Sequence, residues 1–144
     1  MQSLSKQENR EIPDIYKAVE DSKVTVIGFD LPTAVAVSVM DKSGRCFIGL
    51  DSSRRFSKIE EKALLMHELG HCQTGSFYCD GASELVRAKC EKKADAWAIE
   101  HFLPYDKIIE AYKSGITNNY ELAEYFEVSE QYVSKAIEYY RQRY

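Results

Sequence analysis

No apolar run in this 144-residue chain is long enough to cross a bilayer. The longest, near Leu31 to Met40, falls well short of the roughly 20 residues a spanning helix needs. An apolar leader is also missing, since Met1 to Arg10 is polar. Export and membrane insertion are therefore not expected, and a cytoplasmic location is. The four cysteines, Cys46, Cys72, Cys79 and Cys90, contain no C-x-x-C pair. Without a secretion signal they are expected to be free thiols buried in the core. There is no internal repeat, no low-complexity tract and no basic excess, the formal net charge being −4. What remains is ordinary for a globular protein, 44% apolar and 29% charged. One domain spanning residues 1–144 is expected, with enough chain to bury a sizeable core.

Histidine is scarce too, at three in the chain, yet two of the three stand four residues apart in His67-Glu68-Leu69-Gly70-His71. On a helix, positions i and i+4 share a face about one turn apart. Both imidazoles can therefore reach one Zn²⁺ at about 2.0–2.1 Å. Glu68 points in a neighbouring direction, where it can take a proton from metal-bound water. The competing account is an amphipathic surface helix carrying two histidines by chance. The flanks favour the metal. Ser57 and Glu60 have the form of a capping box. Ala63, Leu64, Leu65, Met66 and Leu69 supply helix formers and an apolar face, and Gly75 provides a stop.

A catalytic zinc takes three protein ligands and a water. One extended zinc-protease pattern needs Gly at position 74 and His at position 77, where this chain has Thr74 and Phe77. The third ligand is therefore sought on the next helix, predicted over 84–102 and stopped at Leu103-Pro104. There Glu91 and Asp95 are i, i+4 neighbours, with Ala88, Ala94 and Ala98 on their side to allow close approach. Glu91 is read as the third ligand. Asp95 is read as the acceptor of a hydrogen bond from the far ring nitrogen of a ligand histidine. The alternative is that both form surface pairs with Lys92 and Lys93, worth a few tenths of a kcal/mol. Cys72 and Cys90 adjoin His71 and Glu91, but each lies about 100° around its helix from the metal face.

The run H-E-L-G-H followed by Glu91-x-x-x-Asp95 resembles the gluzincin branch of zinc peptidases. More narrowly, Glu91-Lys92-Lys93-Ala94-Asp95-Ala96-Trp97-Ala98 ending in Leu103-Pro104 resembles the ImmA/IrrE-type metallopeptidases, as does Glu121 to Ser129. The resemblance spans roughly residues 20–140. It implies a small cytoplasmic peptidase of a bacterium, phage or mobile element that cuts a repressor-like transcription factor or an antitoxin. It also implies that Asp95 orients His67.

The remaining pattern gives an α+β, zincin-like fold. Ile12, Ile15, Tyr16 and Val19 follow helical spacing, with Pro13 in the first turn. Strands are predicted over 24–29, 33–40 and 46–50, with a turn at 41–44. They are expected to form a short, mostly antiparallel sheet packed on the H-E-x-x-H helix. Residues 76–83 read as the loop between the metal-binding helices. Residues 1–103 thus hold the sheet and the site, and 104–144 a helical subregion. In the latter, Leu122 to Ile137 resembles a helix-turn-helix, although Glu127 stands where such turns often carry Gly. From Thr117 to Tyr144 five Glu face Lys135, Arg141 and Arg143. That balance lacks the basic footprint phosphate contacts need, so packing onto the core is favoured over nucleic-acid binding.

The expected chemistry is peptide hydrolysis with one Zn²⁺ per chain, held by His67, His71 and Glu91, with Glu68 as general base. Tyr78 and His101 are weaker candidates for an oxyanion donor. Two other classes stand as alternatives: a zinc-containing regulator that binds a transcription factor without cutting it, and a DNA-binding protein with structural zinc.

Overall fold

The computed structural model describes residues 12–144. The polar Met1–Arg10 stretch lies outside the described residues. Helix α1 covers Ile15–Asp21 and buries Ile15 and Val19. Its N-cap is Asp14, whose carboxylate accepts the Tyr16 amide at 2.9 Å. The helix therefore starts after Pro13 and leaves Ile12 outside it, because Asp14 satisfies a first-turn donor that Pro13 cannot.

Three strands follow: β1, Thr25–Phe29; β2, Ala36–Met40; and β3, Cys46–Asp51. Their spatial order is β1-β3-β2. β2 and β3 form an antiparallel hairpin, with Val37 opposite Gly49 and Met40 opposite Cys46. Asp41 holds its turn by accepting the amides of Ser43 and Arg45 at 2.9 and 3.0 Å. β1 pairs with β3 in parallel, Val26 opposite Ile48. The sheet is thus mixed rather than mostly antiparallel. The hairpin sets β3 between β2 and β1, so the first and third strands run the same way. β3 is the buried strand, with Ile48 fully enclosed, whereas every residue of β1 is exposed.

Helix α2, Lys58–Thr74, opens on the expected capping box. The Ser57 hydroxyl accepts the Glu60 amide at 3.1 Å, and the Glu60 carboxylate accepts the Ser57 amide at 3.0 Å. It closes on Gly75, whose φ of 65° lies in the left-handed region that glycine enters without penalty. Leu65, Met66 and Leu69 bury its inner face. Helix α3, Glu84–Phe102, starts at the N-cap Ser83 and packs along α2. Ala94 and Ala98 are fully buried, as close approach requires, but Ala88 is exposed and takes no part in it.

Three more helices complete the chain: α4, Tyr105–Lys113; α5, Asn119–Phe126; and α6, Glu130–Arg141. Glu127 ends α5 in the left-handed conformation, at φ 58°, and Ser129 caps α6. Phe102, Leu103, Leu122, Phe126, Val133 and Ala136 join Leu65, Met66 and Leu69 in one hydrophobic core. Two polar ties close this seam. Lys62 of α2, itself buried, donates to the Phe126 carbonyl at 2.8 Å. The Tyr140 hydroxyl donates to the Leu103 carbonyl at 2.8 Å. Lys62 satisfies one of the carbonyls that the end of α5 leaves without an intrahelical partner.

The cysteines depart from expectation. Cys46 and Cys72 form a disulfide that joins the start of β3 to the end of α2, with Cα atoms 5.9 Å apart. The sheet lies close enough to α2 to bring these positions within bridging distance. Cys79 and Cys90 are free, but the first is exposed and the second half-buried. Among the described residues no helix is long and apolar enough to cross a membrane.

Candidate metal centre

The site is built where α2 and α3 lie closest. A Cβ placed on Gly70 would meet the Ala94 carbonyl oxygen at 2.4 Å. Only a hydrogen fits between the two backbones. This contact lies next to His71 on one helix and one turn from Glu91 on the other, so the facing side chains have little distance to bridge.

Three donors converge there. His67 Nε2 lies 3.2 Å from His71 Nε2 and 2.6 Å from Glu91 Oε2. His71 Nε2 lies 3.3 Å from Glu91 Oε1. Ligands at about 2.0–2.1 Å from one tetrahedral ion stand about 3.3–3.4 Å apart. The separation of the two rings matches that edge, whereas Glu91 meets them with different oxygens, Oε1 at a matching distance from His71 and Oε2 at a hydrogen-bond distance from His67. One donor atom from each of the three residues falls within 4.8 Å of the others. Two imidazoles and one carboxylate are the donor types and the number of a catalytic zinc site. The residues present fit the group.

Each histidine is also held from behind. His71 Nδ1 lies 2.6 Å from the Ser76 carbonyl. A carbonyl can only accept, so the proton sits on Nδ1 and the Nε2 lone pair faces the other donors. His67 Nδ1 lies 2.9 Å from Asp95 Oδ1, which orients that ring, and with Glu91 Oε2 beside Nε2 both of its nitrogens face acceptors. Burial works against a charged His67, but Asp95 outweighs it with support from Glu68 and Glu91, raising the ring above its ordinary value. Burial likewise opposes ionisation of Asp95, yet the hydrogen bonds from His67 and Lys135 hold it below the usual carboxylate range. Glu91 is held low against its own burial by the Tyr78 hydrogen bond and the two histidines.

Glu68 is buried, with 8% of its surface exposed, and lines a cleft with His71 and Glu91. Among the described residues, nothing donates a hydrogen bond to its carboxylate. The cleft has a volume of about 980 Å³, and strand β2 forms one wall from Ala36 to Met40. β2 pairs with β3 on one side, and its other edge borders the cleft. Tyr78, from the 76–83 loop, donates its hydroxyl to Glu91 Oε1 at 2.7 Å. Arg87 lies over the Tyr78 ring at 5.3 Å and binds the Ala82 carbonyl, tying the loop to α3. His101 is elsewhere, stacked on Trp97 at 4.7 Å. A second cavity, about 770 Å³ and lined by Asp14, Tyr16, Lys62 and Glu127, holds none of the donors.

His67, Glu68, His71, Glu91 and Asp95, all named from sequence, therefore stand together. Ser76 and Lys135 were not anticipated. Ser76 acts through its backbone, which no residue type announces, and Lys135 lies 40 positions beyond Asp95 in sequence. Against known proteins, residues 19–138 match the model of a peptidase family described as IrrE N-terminal-like domain. No curated protein matches the chain.

Proposed function

Since the chain belongs to the IrrE N-terminal-like peptidase family, we propose that it is a zinc-dependent endopeptidase that cuts a regulatory protein at a specific site. The observation that carries this reading is the cluster of three donor atoms beside an unpartnered, buried carboxylate over one open cleft. His67, His71 and Glu91 would hold the ion. When bound, zinc supplies an acidified water, its pKa brought to about 7, and polarises the scissile carbonyl.

The chain's own residues do the rest. Glu68 takes the proton from the attacking water and passes it to the leaving amine. Its freedom from other hydrogen bonds supports that task, because no donor must be released first. Substrate backbone adds to the open edge of β2 as an extended strand and is thereby held across the cleft. The Tyr78 hydroxyl, held beside Glu91 and lining the cleft, is the donor we assign to the developing oxyanion. The substrate we infer is a repressor-like transcription factor or an antitoxin, cut at one accessible segment.

Co-expression of wild type and Glu68→Gln with candidate regulators tests the reading. Glu68→Gln should retain about one equivalent of zinc while cleavage falls about 10²-fold or more. Undiminished cleavage by Glu68→Gln would remove Glu68 from the mechanism. Zinc retention with no cleavage by the wild type of any regulator it binds would favour a sequestering role instead.

A further inference from the structure

The site has a member on the C-terminal helix. Asp95 uses both of its oxygens: Oδ1 receives His67 Nδ1 at 2.9 Å, and Oδ2 receives Lys135 Nζ at 2.9 Å. Lys135 belongs to α6, outside the pair of helices that carries the donors. Resting on the metal reading above, we propose that Lys135 is a positioning residue of the metal centre, acting on His67 through Asp95.

The two ends of the bridge are not equivalent. Asp95 is about a quarter exposed, while Lys135 is about half exposed and its ammonium lies 6.0 Å from the Tyr132 ring. An exposed pair of this kind adds little to folding. Its consequence is geometric. A carboxylate with one anchored oxygen cannot turn about its terminal bond without breaking the anchor. With Oδ2 fixed, Oδ1 stays in line with Nδ1, and the imidazole keeps its proton on that nitrogen. Nε2 is then aimed at His71 and Glu91 before any ion arrives, its hydrogen donating to Glu91 Oε2 at 2.6 Å until a metal takes its place. Without Lys135, Asp95 can turn toward water and the His67 ring loses its backing. Lys135 is charge-matched to its task, since a neutral donor would leave the carboxylate's second oxygen less firmly held.

Besides the His67 ring, Lys135 is the one cation paired with Asp95 among the described residues. Its effect must therefore vanish when Asp95 is changed. This makes the inference separable from a general role of α6 in stability.

Chelator-competition titrations of zinc affinity should compare wild type, Lys135→Met, Lys135→Arg, Asp95→Asn and the Lys135→Met/Asp95→Asn double variant. Methionine keeps an apolar stem and removes the charge. We expect Lys135→Met to lose about tenfold in affinity, the lower end of what outer partners of a ligand contribute. Lys135→Arg should recover most of it. The double variant should bind as Asp95→Asn does, since the lysine then has nothing to act through. In the zinc-loaded protein, the Nδ1 proton of His67 should exchange with water faster in Lys135→Met than in wild type. Unchanged affinity in Lys135→Met, or an equal loss in both backgrounds, would overturn the proposal. A lowered melting temperature with unchanged affinity would overturn it as well, reducing Lys135 to a packing residue. A wild-type chain that takes up no zinc would instead fell the metal reading on which the proposal rests.

Discussion

Two helix pairs in this protein bury themselves on opposite terms. α5 and α6 separate their faces cleanly: Leu122, Ala123, Phe126, Val133, Ala136 and Tyr140 turn inward, and the glutamates stay exposed. α2 and α3 do not. Lys62, Glu68 and His71 are buried beside Leu65, Met66 and Leu69, and α3 mixes Ala94 with Asp95 and Glu91 around its inner side. The first pair gains from apolar area removed from water, the second from approach of backbones and from polar groups that satisfy each other. A helix that hosts chemistry spends inward positions on polar side chains, so its amphipathic pattern degrades where its function is strongest. Motif spacing is then the better guide.

If the two pairs differ in this way, substitutions in them should separate stability from zinc binding. The largest stability loss belongs to the C-terminal pair. Phe126→Ala removes a fully buried ring and should lower unfolding free energy by about 3–5 kcal/mol in urea titrations. Zinc affinity of the folded fraction should be unchanged. A parallel loss of affinity well below the midpoint would mean that the C-terminal pair reaches the site by more than the Lys135–Asp95 bridge.

Gly70→Ala should do the reverse. The added methyl meets backbone, so α2 and α3 must move apart at a cost of about 1–3 kcal/mol. Because the displacement falls between His71 and Glu91, zinc affinity should drop by about tenfold or more. Retained affinity would show that the donors tolerate a wider helix spacing than their geometry suggests.

Ser57→Ala sharpens the contrast from within α2. It removes the half of the capping box in which the Ser57 hydroxyl accepts the Glu60 amide, leaves the backbone amide of residue 57 able to donate to Glu60, and should cost about 1 kcal/mol. The metal face lies more than two turns away, so zinc affinity should not respond. A change there would mean that fraying at the start of α2 reaches the site.

The bounds of α2 and the end of α3 were legible because their signals are local: Ser57 with Glu60, Gly75 and Pro104 each act within a turn of their own position. The grouping of His67, His71 and Glu91 was legible because helical spacing places i and i+4 together and the next helix must return past the first. Non-local facts were not. The β1-β3-β2 order depends on which strand the hairpin sets in the middle. The Cys46–Cys72 bridge depends on where the sheet meets α2. Lys62 and Lys135 each look like ordinary surface lysines in sequence, yet one ends at a buried carbonyl and the other at Asp95.

The contact between Gly70 and Ala94 carries a genetic consequence. What stands against position 70 is a carbonyl oxygen, together with the Cα and carbonyl carbon of residue 94. Those atoms are the same whatever side chain residue 94 carries. A defect caused by enlarging residue 70 therefore has no reciprocal cure at residue 94, since shrinking alanine further removes none of the obstructing atoms. In a search for second-site revertants of Gly70→Ala, compensating changes at position 94 should be missing. True reversion to glycine should dominate the survivors, which makes position 70 a point where this protein's history can retrace its steps but cannot go around.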